Sequence, residues 1–563
     1  MTRFLPILGW LPRYERRWLP ADALAGLSVW ALLVPQSLAY ATLAGVPVQY
    51  GLYTAFAALL MYPIFGTSRQ LAEGPSAAVC AVVAATITPL VGAAALGTSA
   101  AAPYAAALAL ATGVVYVVLG LLKMGWVSTF LSRAVMAGFI LGFALGIIIN
   151  QVHSLLGTPG GDGSYLEQLW KTIGQIPDAD LTTVAVGCGS LALLLGLRYM
   201  APKMPRALIV MALAIAAVDV FSLADHGVAV TGDVPTGLFT VGIPDVPSSD
   251  IGKLLLGALA VIFVGYSESL AAARAMATKH GYEIDPNQEL IAQGAACGAA
   301  GLVGGFAVDG SLSKSSVADA AGQQTQMASL INAVFILLTL LFLASIFENL
   351  PSATLGAVVI DALVGLLTLR GLRRYLNTSR ADFVFFAGAM LGILAFGIIA
   401  GILIGVALSL LLLIARSSRT SVRPLGREPA SGVFHDLDDQ PGLVTDPAVL
   451  VLRIDGPLFF ADADHFRSRV HELAFREPQP SGVVVDAESV FLTDTDGADI
   501  LVQVAGELRA RGITLALARV HPVCLDLWRR AGVLDALGEH GIHETIEGAV
   551  ATLSAVPPPA EVT

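Results

Sequence analysis

Apolar stretches follow one another from about residue 20 to residue 416, and polar residues return at soluble-protein density only after about residue 417. A transmembrane helix needs about 20 mostly apolar residues to cross the hydrocarbon core of a bilayer. The pattern therefore predicts a polytopic α-helical membrane protein with fourteen spans, several of them short or interrupted by glycine. The predicted spans are 21–44, 48–65, 75–92, 102–122, 130–150, 182–200, 206–223, 252–275, 287–305, 314–322, 326–347, 351–368, 382–399 and 400–416.

The polar part of the chain has a different periodicity. Short apolar strand patterns at 449–454, 482–486 and 514–518 alternate with helical patterns near 463–475 and 497–511. This alternation predicts an α/β layer fold. The predicted organisation is an N-terminal segment 1–20, a transmembrane domain 21–416, a Pro- and Gly-rich linker 417–448, a soluble α/β domain 449–556 and a tail 557–563.

Composition and charge narrow the class of protein further. Of the 563 residues 55% are hydrophobic and 13% are charged, which is too apolar for a soluble protein of this length. The formal charge of −11 argues against a nucleic-acid partner, for which a basic face is expected. The four cysteines form no metal-binding or disulfide pattern. We therefore expect a bilayer-embedded protein that has no cofactor and is not an enzyme.

Positive charges along the chain predict the sidedness of the spans. The loops near 153–180 and 224–251 carry almost no Lys or Arg, whereas most cationic residues between other spans fall on the opposite side. Cytoplasmic loops are enriched in Lys and Arg. An even number of spans then leaves both the N-terminus and the soluble domain in the cytoplasm, with the protein in the cell (inner) membrane.

An internal repeat relates the first span to the eighth. Residues 36–41 read Gln-Ser-Leu-Ala-Tyr-Ala, and residues 268–273 read Glu-Ser-Leu-Ala-Ala-Ala. At a similar distance after each motif, a short span opens, at Gly74-Pro75-Ser76 in the first copy and at Ser311-Leu312-Ser313 in the second. The first copy contains seven spans, which is an odd number, so the second copy is inserted upside down. Inverted repeats with interrupted helices place a substrate site at the bilayer midplane.

The run from Asp309 to Asp319 is small, polar and charged, and it lies between two long apolar stretches. Such groups are costly in hydrocarbon unless they face water or a ligand. The two short helices would point their N-termini at each other, and helix N-termini attract anions. Lys314 adds a full charge, unless it points outward or pairs with Asp309 or Asp319. The candidate anion-binding residues are Gln36, Tyr40, Ser76, Ala77, Ser311, Ser313 and Lys314.

Glu268 lies midway through the eighth predicted span, between Ser267 and Ser269. A carboxylate inside a membrane span marks a functional site by default. A bound anion beside Glu268 would favour its protonated form, which is a physical route for coupling one proton to one anion. The structural alternative is a Glu held permanently by hydroxyl groups or by Arg274.

These motifs together resemble the SulP anion transporters, also called solute carrier family 26, over nearly the whole chain. The resemblance rests on residues 35–41 (Pro-Gln-Ser-Leu-Ala-Tyr-Ala), 45–47 (Gly-Val-Pro), 51–53 (Gly-Leu-Tyr), 66–68 (Gly-Thr-Ser), 74–77 (Gly-Pro-Ser-Ala), 279–282 (Lys-His-Gly-Tyr) and 285–292 (Asp-Pro-Asn-Gln-Glu-Leu-Ile-Ala).

The resemblance implies a uracil-permease-like 7+7 inverted repeat with a core and a gate domain, and a homodimer. Where this family typically has Ser-x-Ser-Arg in the tenth span, this chain has Lys314, which keeps the charge but loses the bidentate fork. Glu268 matches an acidic residue that is Asp in a sodium-dependent bicarbonate branch and Glu in plant-type proton/sulfate symporters. The resemblance therefore favours protons over sodium as the coupling ion.

The soluble domain resembles a STAS domain, which SulP proteins usually carry. Residues 455–461 (Asp-Gly-Pro-Leu-Phe-Phe-Ala) match its opening motif, and residues 494–497 (Asp-Thr-Asp-Gly) match the Asp-Ser-Ser-Gly loop of anti-sigma-factor antagonists. The second Ser of that loop is the phosphorylated one, and Asp496 occupies its position. A phosphorylation switch at this site is therefore not expected.

The sequence thus predicts a secondary active anion transporter, a proton-coupled symporter of a small oxyanion such as sulfate that works by alternating access. Within the same class, bicarbonate or dicarboxylate transport or anion exchange stays open. From another class, an anion channel or a membrane anion sensor that signals through the STAS domain stays open.

Overall fold

The chain divides into two units, Met1–Leu410 and Leu411–Thr563. The computed structural model describes residues 4–126, 133–158, 165–201, 204–232, 234, 237, 239–365, 367, 369–397, 400–401, 403–405, 407–408, 410–411, 421–439, 442–538 and 541–555. The predicted tail 557–563 and parts of the predicted fifth span 130–150 and fourteenth span 400–416 lie outside these residues.

The first unit is built almost entirely from helices. Six helical segments in its described part are long and apolar enough to cross a membrane. Each of the first thirteen predicted spans contains one of its helices. The helices are α1 (Ile7–Trp10), α2 (Leu19–Ala44), α3 (Gln49–Phe65), α4 (Ala77–Val91), α5 (Ala102–Leu121), α6 (Arg133–Leu156), α7 (Tyr165–Gln175), α8 (Leu181–Met200), α9 (Arg206–Phe221), α10 (Ile251–His280), α11 (Pro286–Leu302), α12 (Leu312–Ala320), α13 (Met327–Leu338), α14 (Ser352–Val364), α15 (Leu369–Thr378) and α16 (Arg380–Phe396).

Two of these helices fall in segments that the apolar pattern leaves between spans. Helix α7 and helix α15 are short and amphipathic, so neither produces the continuous apolar run that marks a span. In α7 the apolar side chains of Leu166, Trp170 and Ile173 recur at helical spacing and are exposed. An exposed apolar stripe of this kind is typical of a helix that lies along a membrane surface.

Glycine residues bring α5 and α11 into close contact. A Cβ atom on Gly113 of α5 would lie 2.6 Å from the backbone nitrogen of Gly298 of α11. A Cβ on Gly301 would lie 2.6 Å from the carbonyl oxygen of Ala106. Small residues let helix backbones approach closely in membranes, where packing rather than the hydrophobic effect drives association. These glycines therefore set the distance between the two helices.

A two-stranded ladder lies at the N-terminal ends of two short helices, α4 and α12. Strand β1 (Glu73–Gly74) pairs antiparallel with β2 (Asp309–Gly310), with Glu73 opposite Gly310 and Gly74 opposite Asp309. Helix α4 begins three residues after β1 and α12 begins two residues after β2. The antiparallel pairing gives the two strand–helix units opposite directions, as the inverted repeat predicts.

The second unit is a six-stranded sheet covered by helices on both faces. The strand order is β4-β3-β5-β6-β7-β8; β5 to β8 run parallel, and β3 is antiparallel to both its neighbours. All five residues of β6 are buried, as expected for a parallel strand covered on both faces. The elements are β3 (Ser421–Arg427), β4 (Phe434–Asp436), β5 (Val449–Asp455), α17 (Ala463–Ala474), β6 (Gly482–Asp486), α18 (Thr495–Arg509), β7 (Thr514–Ala518), α19 (Pro522–Arg530), α20 (Val533–Leu537), β8 (Ile542–His543) and α21 (Ile546–Ser554).

Part of the segment 417–448, which was predicted to be a linker, belongs to the sheet. Its described part contains β3 and β4, which belong to the sheet. Pro424 and Gly426 make β3 look like a turn in the sequence, because both residues are depleted from strands. Pro424 has no backbone N–H to donate, but its carbonyl oxygen still takes part in the sheet by accepting a 3.1 Å hydrogen bond from the Leu437 N–H. The sheet therefore begins before the predicted domain boundary at residue 449.

The loop that resembles the anti-sigma-factor antagonist motif opens α18. The Asp494 carboxylate caps this helix by accepting a 2.8 Å hydrogen bond from the Gly497 N–H, and it accepts a second, at 3.1 Å, from the N–H of Phe460 in a neighbouring loop. Thr495 and Asp496 are exposed in the first turn.

Further along α18, hydrogen bonds from Arg467 hold the pKa of Glu507 at about 2, well below its ordinary value. Glu507 is therefore ionised at neutral pH and forms an ion pair with Arg467.

Candidate anion and proton site

Hydrogen bonds join the two short-helix units around the ladder. The Ser311 N–H donates to the Ala72 carbonyl oxygen at 3.2 Å, and the Ala72 N–H donates to the Ser315 hydroxyl oxygen at 2.9 Å. Lys314 Nζ donates to the carbonyl oxygen of Pro75 at 2.9 Å. The N-terminus of α4 and the N-terminus of α12 are therefore fastened to each other across the repeat boundary.

Both short helices, α4 and α12, have a serine at the N-cap position. Ser76 caps α4, with its hydroxyl oxygen 3.4 Å from the Val79 N–H, and Ala77 is the first helical residue. Ser311 occupies the N-cap position of α12 without a side-chain capping hydrogen bond, and its hydroxyl group instead lies 2.9 Å from that of Ser313. The first N–H groups of a helix precede its intrahelical hydrogen bonds and point outward at its positive end. Ser76 and Ser311 are buried, whereas Ser313 is exposed.

Helix α2 contributes the two uncharged candidates from the first repeat. Gln36 is half-buried, one turn before Tyr40. Tyr40 is buried and interacts electrostatically with Glu268 and Asp309. The Tyr40 side chain thus lies within electrostatic range of these acidic side chains. The structure brings residues of α2, α10 and β2 together at this point.

Glu268 is half-buried on α10 and is surrounded by charged groups from other elements. Asp309, Lys314 and Glu73 interact with its carboxyl group. The neighbouring Ser269 hydroxyl oxygen accepts a 2.7 Å hydrogen bond from the Gly310 N–H, which ties α10 to β2. Arg274, the counterion considered from the sequence, has an exposed side chain on the same helix. The charged environment of Glu268 therefore comes from the ladder and α12.

The environment of Lys314 matches neither a side chain that points outward nor a simple pair with Asp309 or Asp319. Its side chain is 1% exposed and interacts with the carboxylates of Asp309, Glu73 and Glu268. Asp319, the other partner considered, instead accepts hydrogen bonds from Lys279 and from His280 Nε2, the latter at 2.6 Å. Lys314 therefore points inward to the acidic cluster.

Three members of the cluster, Glu73, Gln293 and Asp309, are not among the site residues predicted from the sequence, although Asp309 was considered as a partner of Lys314. Glu73 is buried in β1, and its Oε1 accepts a hydrogen bond from Gln293 Nε2 of α11. Glu73 lacks the signal that singles out Glu268, which is a charge inside an apolar span: it lies in the mostly polar segment 66–74 between two predicted spans and directly precedes Gly74-Pro75-Ser76, which is typical of a turn. Gln293 carries no charge and gives no such signal.

Asp309 completes the cluster and is fully buried. Neither of its carboxylate oxygens makes a hydrogen bond of standard geometry to the described residues, although the Ser76 hydroxyl and the Glu268 carboxyl group lie near enough to interact with it. Three carboxyl groups thus share one lysine. Burying a carboxylate without a matching cation costs several kcal/mol, so this arrangement is suited to binding protons.

A separate cavity of about 400 Å³ lies away from these residues. Its lining includes Tyr50 and Tyr53 of α3, Phe239, and the segments 242–245 and 301–304. The Phe239 ring packs against the rings of Tyr53 and Phe56, at centroid distances of 5.8 and 5.4 Å. None of the predicted anion-binding residues lines this cavity. Tyr50 and Tyr53 therefore line this separate cavity, and Phe56 packs against the Phe239 ring beside it.

A helical membrane core with two facing half-helix N-termini, followed by an α/β domain, defines a class of membrane transporters, and the comparisons with known proteins agree. The model of the sulfate permease family matches residues 19–389, and the model of the STAS domain matches residues 440–549. The chain belongs to the sulfate permease family and has a helical transmembrane core followed by a C-terminal STAS domain.

Relatives and solved structures extend over nearly all of the chain. A probable sulfate transporter of Mycobacterium tuberculosis is 35% identical, with 96% of this chain and 98% of the relative covered. The human sulfate anion transporter 1 is 30% identical, with 98% and 91% covered. The inward-facing structure of the murine solute carrier 26 family member A9 anion transporter superposes with a TM-score of 0.91 over 98% of this chain and 94% of that one, at 24% identity. This last match shows that the fold is shared.

Proposed function

We propose that this member of the sulfate permease family transports a small oxyanion such as sulfate together with protons, by alternating access. The anion would lie between the N-termini of α4 and α12. Gln36, Tyr40, Ser76, Ser311 and Ser313 would donate hydrogen bonds there. The names of the relatives support sulfate as the substrate, and the family supports anion transport in general.

A single observation carries the proton coupling: Glu268 shares one lysine with two other carboxyl groups. As long as these carboxylates are ionised, they neutralise Lys314 and repel an incoming anion. A proton on Glu268 removes one negative charge, so the positive charge of Lys314 becomes available to the anion. Proton binding and anion binding therefore favour each other, which is the thermodynamic requirement for symport.

The experiment is sulfate uptake by the purified protein in proteoliposomes, with and without an inward proton gradient. We expect saturable uptake that the gradient accelerates. In Glu268→Gln the acceleration should be lost while sulfate/sulfate exchange persists, because Gln imitates the protonated side chain. Glu283→Gln is the matched control, since Glu283 is exposed beyond the end of α10. Unchanged acceleration in Glu268→Gln would contradict the coupling role.

The same assay separates the other candidate functions. Competition by bicarbonate, chloride or fumarate identifies a different preferred anion. Uptake that requires an internal anion identifies an exchanger. A channel gives rates that do not saturate and no counterflow, and a sensor binds the anion in detergent but moves none. Replacing external sodium with potassium tests sodium coupling.

A further inference from the structure

Glu73 is a buried acid to which the transport scheme above gives no role in binding protons. Its side chain is 1% exposed, and β1 holds it opposite Gly310 in the ladder. One carboxylate oxygen, Oε1, accepts the hydrogen bond from Gln293. The other, Oε2, has no hydrogen-bond partner among the described residues, and neither has Oε1 of the Gln293 amide. A polar atom left in this state is energetically costly unless another species binds it.

The groups that face Glu73 come from every element around it. Glu268, Asp309 and Glu289 are acidic, and Lys314 is the cation that acts on it. Tyr62, Tyr116 and Cys297 are the other titratable groups that interact with it. The negative charge of Glu289 is already satisfied, because Glu289 accepts hydrogen bonds from Tyr62 Oη at 2.8 Å and from the Thr67 N–H at 2.7 Å. Glu73, Asp309 and Glu268 are therefore the carboxyl groups whose negative charge is balanced only by Lys314 among the groups named here.

We infer that Glu73 is a second proton-binding residue of the transport site, which takes a proton on Oε2 when the anion binds and gives it up when the anion leaves. This inference rests on the proposed function, in which Glu268 carries the first proton. Each cycle would then move two protons and one anion from one side of the membrane to the other. Two protons offset both charges of a divalent oxyanion, so the transport of sulfate would be electroneutral.

Position and geometry favour Glu73 over Asp309 for this task. Asp309 lies beside Ser76 and Glu268, and its charge acts on Lys314 more strongly than that of the other two carboxyl groups, so we assign it to the lysine as counterion. Glu73 lies across the ladder, next to Gly74, where a Cβ atom would be 3.5 Å from Lys314 Nζ. A proton on Glu73 therefore weakens the hold of the carboxylates on Lys314 without removing its counterion.

The stoichiometry tests the inference in proteoliposomes whose membrane potential is clamped to zero with potassium and valinomycin. At zero net flux, a tenfold proton gradient should balance an approximately hundredfold opposing sulfate gradient in the wild type and an approximately tenfold one in Glu73→Gln. Gln has the shape of the protonated acid and can still bind Gln293. An inside-negative potential should slow uptake in Glu73→Gln and leave the wild type unaffected. The Glu283→Gln variant should behave as the wild type.

Different results overturn different statements. A wild type that couples one proton, or a Glu73→Gln variant with the same ratio as the wild type, contradicts the role of Glu73 and leaves the proposed symport intact. A wild type whose uptake ignores the proton gradient contradicts the proposed symport itself. Since the wild-type ratio and its insensitivity to potential are measured without any variant, the inference is tested even if Glu73→Gln does not fold.

Discussion

Lys314 connects three parts of the site through one side chain. Its ammonium group donates to the Pro75 carbonyl oxygen just before α4, while its charge interacts with the carboxyl groups of Glu73, Asp309 and Glu268. A compact ammonium group can exchange partners by small rotations of its stem, whereas a planar guanidinium group is fixed by its fork. Lysine therefore suits a position at which the charge has to be shared between carboxylates and a transient anion.

The Lys314 charge should control anion affinity. We expect Lys314→Ala to raise the KM for sulfate at least about tenfold, which corresponds to about 1.4 kcal/mol, and Lys314→Arg to raise it less because the charge is kept. Lys253→Ala is the control, since Lys253 is exposed on the surface of α10. Concentration-dependent uptake in proteoliposomes gives the KM values. Equal values in all these variants would place Lys314 outside the anion site.

The sequence allowed prediction of charged residues that lie within predicted membrane spans, but not of residues whose role depends on contacts in the folded protein. Glu268 and Lys314 stand out because a charge inside a span is rare. Glu73 is hidden by the turn-like motif that follows it. Gln293 belongs to the site only because the ladder places Glu73 beside α11, and no local sequence pattern indicates that contact.

At the level of elements, length and apolar continuity decide what can be predicted. Helices α2 and α10 are long and apolar, so their positions follow from the pattern. Strands β1 and β2 have two residues each, which is too short to show any periodicity. Helices α7 and α15 are amphipathic, and β3 contains Pro424, so their patterns resemble those of loops. The ladder that organises the site is thus the element that the sequence hides best.

The α5–α11 contact gives a prediction at this scale. Gly113→Ala should lower the free energy of unfolding by about 1–3 kcal/mol, because the new methyl group meets the Gly298 backbone and the helices have to separate. Gly298→Ala is the matched control, since a Cβ there has no atom within 4 Å. Thermal unfolding in detergent compares the two variants. A Gly113→Ala protein as stable as the Gly298→Ala protein would contradict the packing argument.

For the whole molecule, the family match establishes a transmembrane core and a STAS domain, while sidedness and the homodimer stay predictions. The positive-inside pattern places the loop 224–251 outside and the STAS domain in the cytoplasm. Charge distribution can predict this because it acts during insertion on the chain itself. The dimer depends on surfaces of a folded subunit, which no pattern along the chain reveals.

Cysteine labelling tests the sidedness. In a Cys188→Ser background, Asp225→Cys should react with a membrane-impermeant maleimide in intact cells, and Ser431→Cys should react only after permeabilisation. Asp225 and Ser431 are exposed, and Cys188 is the exposed native cysteine, whereas Cys80, Cys297 and Cys524 are buried. Labelling of Ser431→Cys in intact cells would reverse the predicted orientation.

The ladder between β1 and β2 also bears on how such a protein could have arisen by gene duplication. Each two-residue strand finds its backbone partner in the other repeat. An ancestral half-length chain inserted alone would leave these N–H and carbonyl groups without a partner inside the bilayer, where no water replaces them. Such a chain would need a second copy in the opposite orientation. Fusion of two oppositely inserted copies makes that encounter permanent and leaves each half free to diverge, as Tyr40 in one half and Ala272 in the other have done.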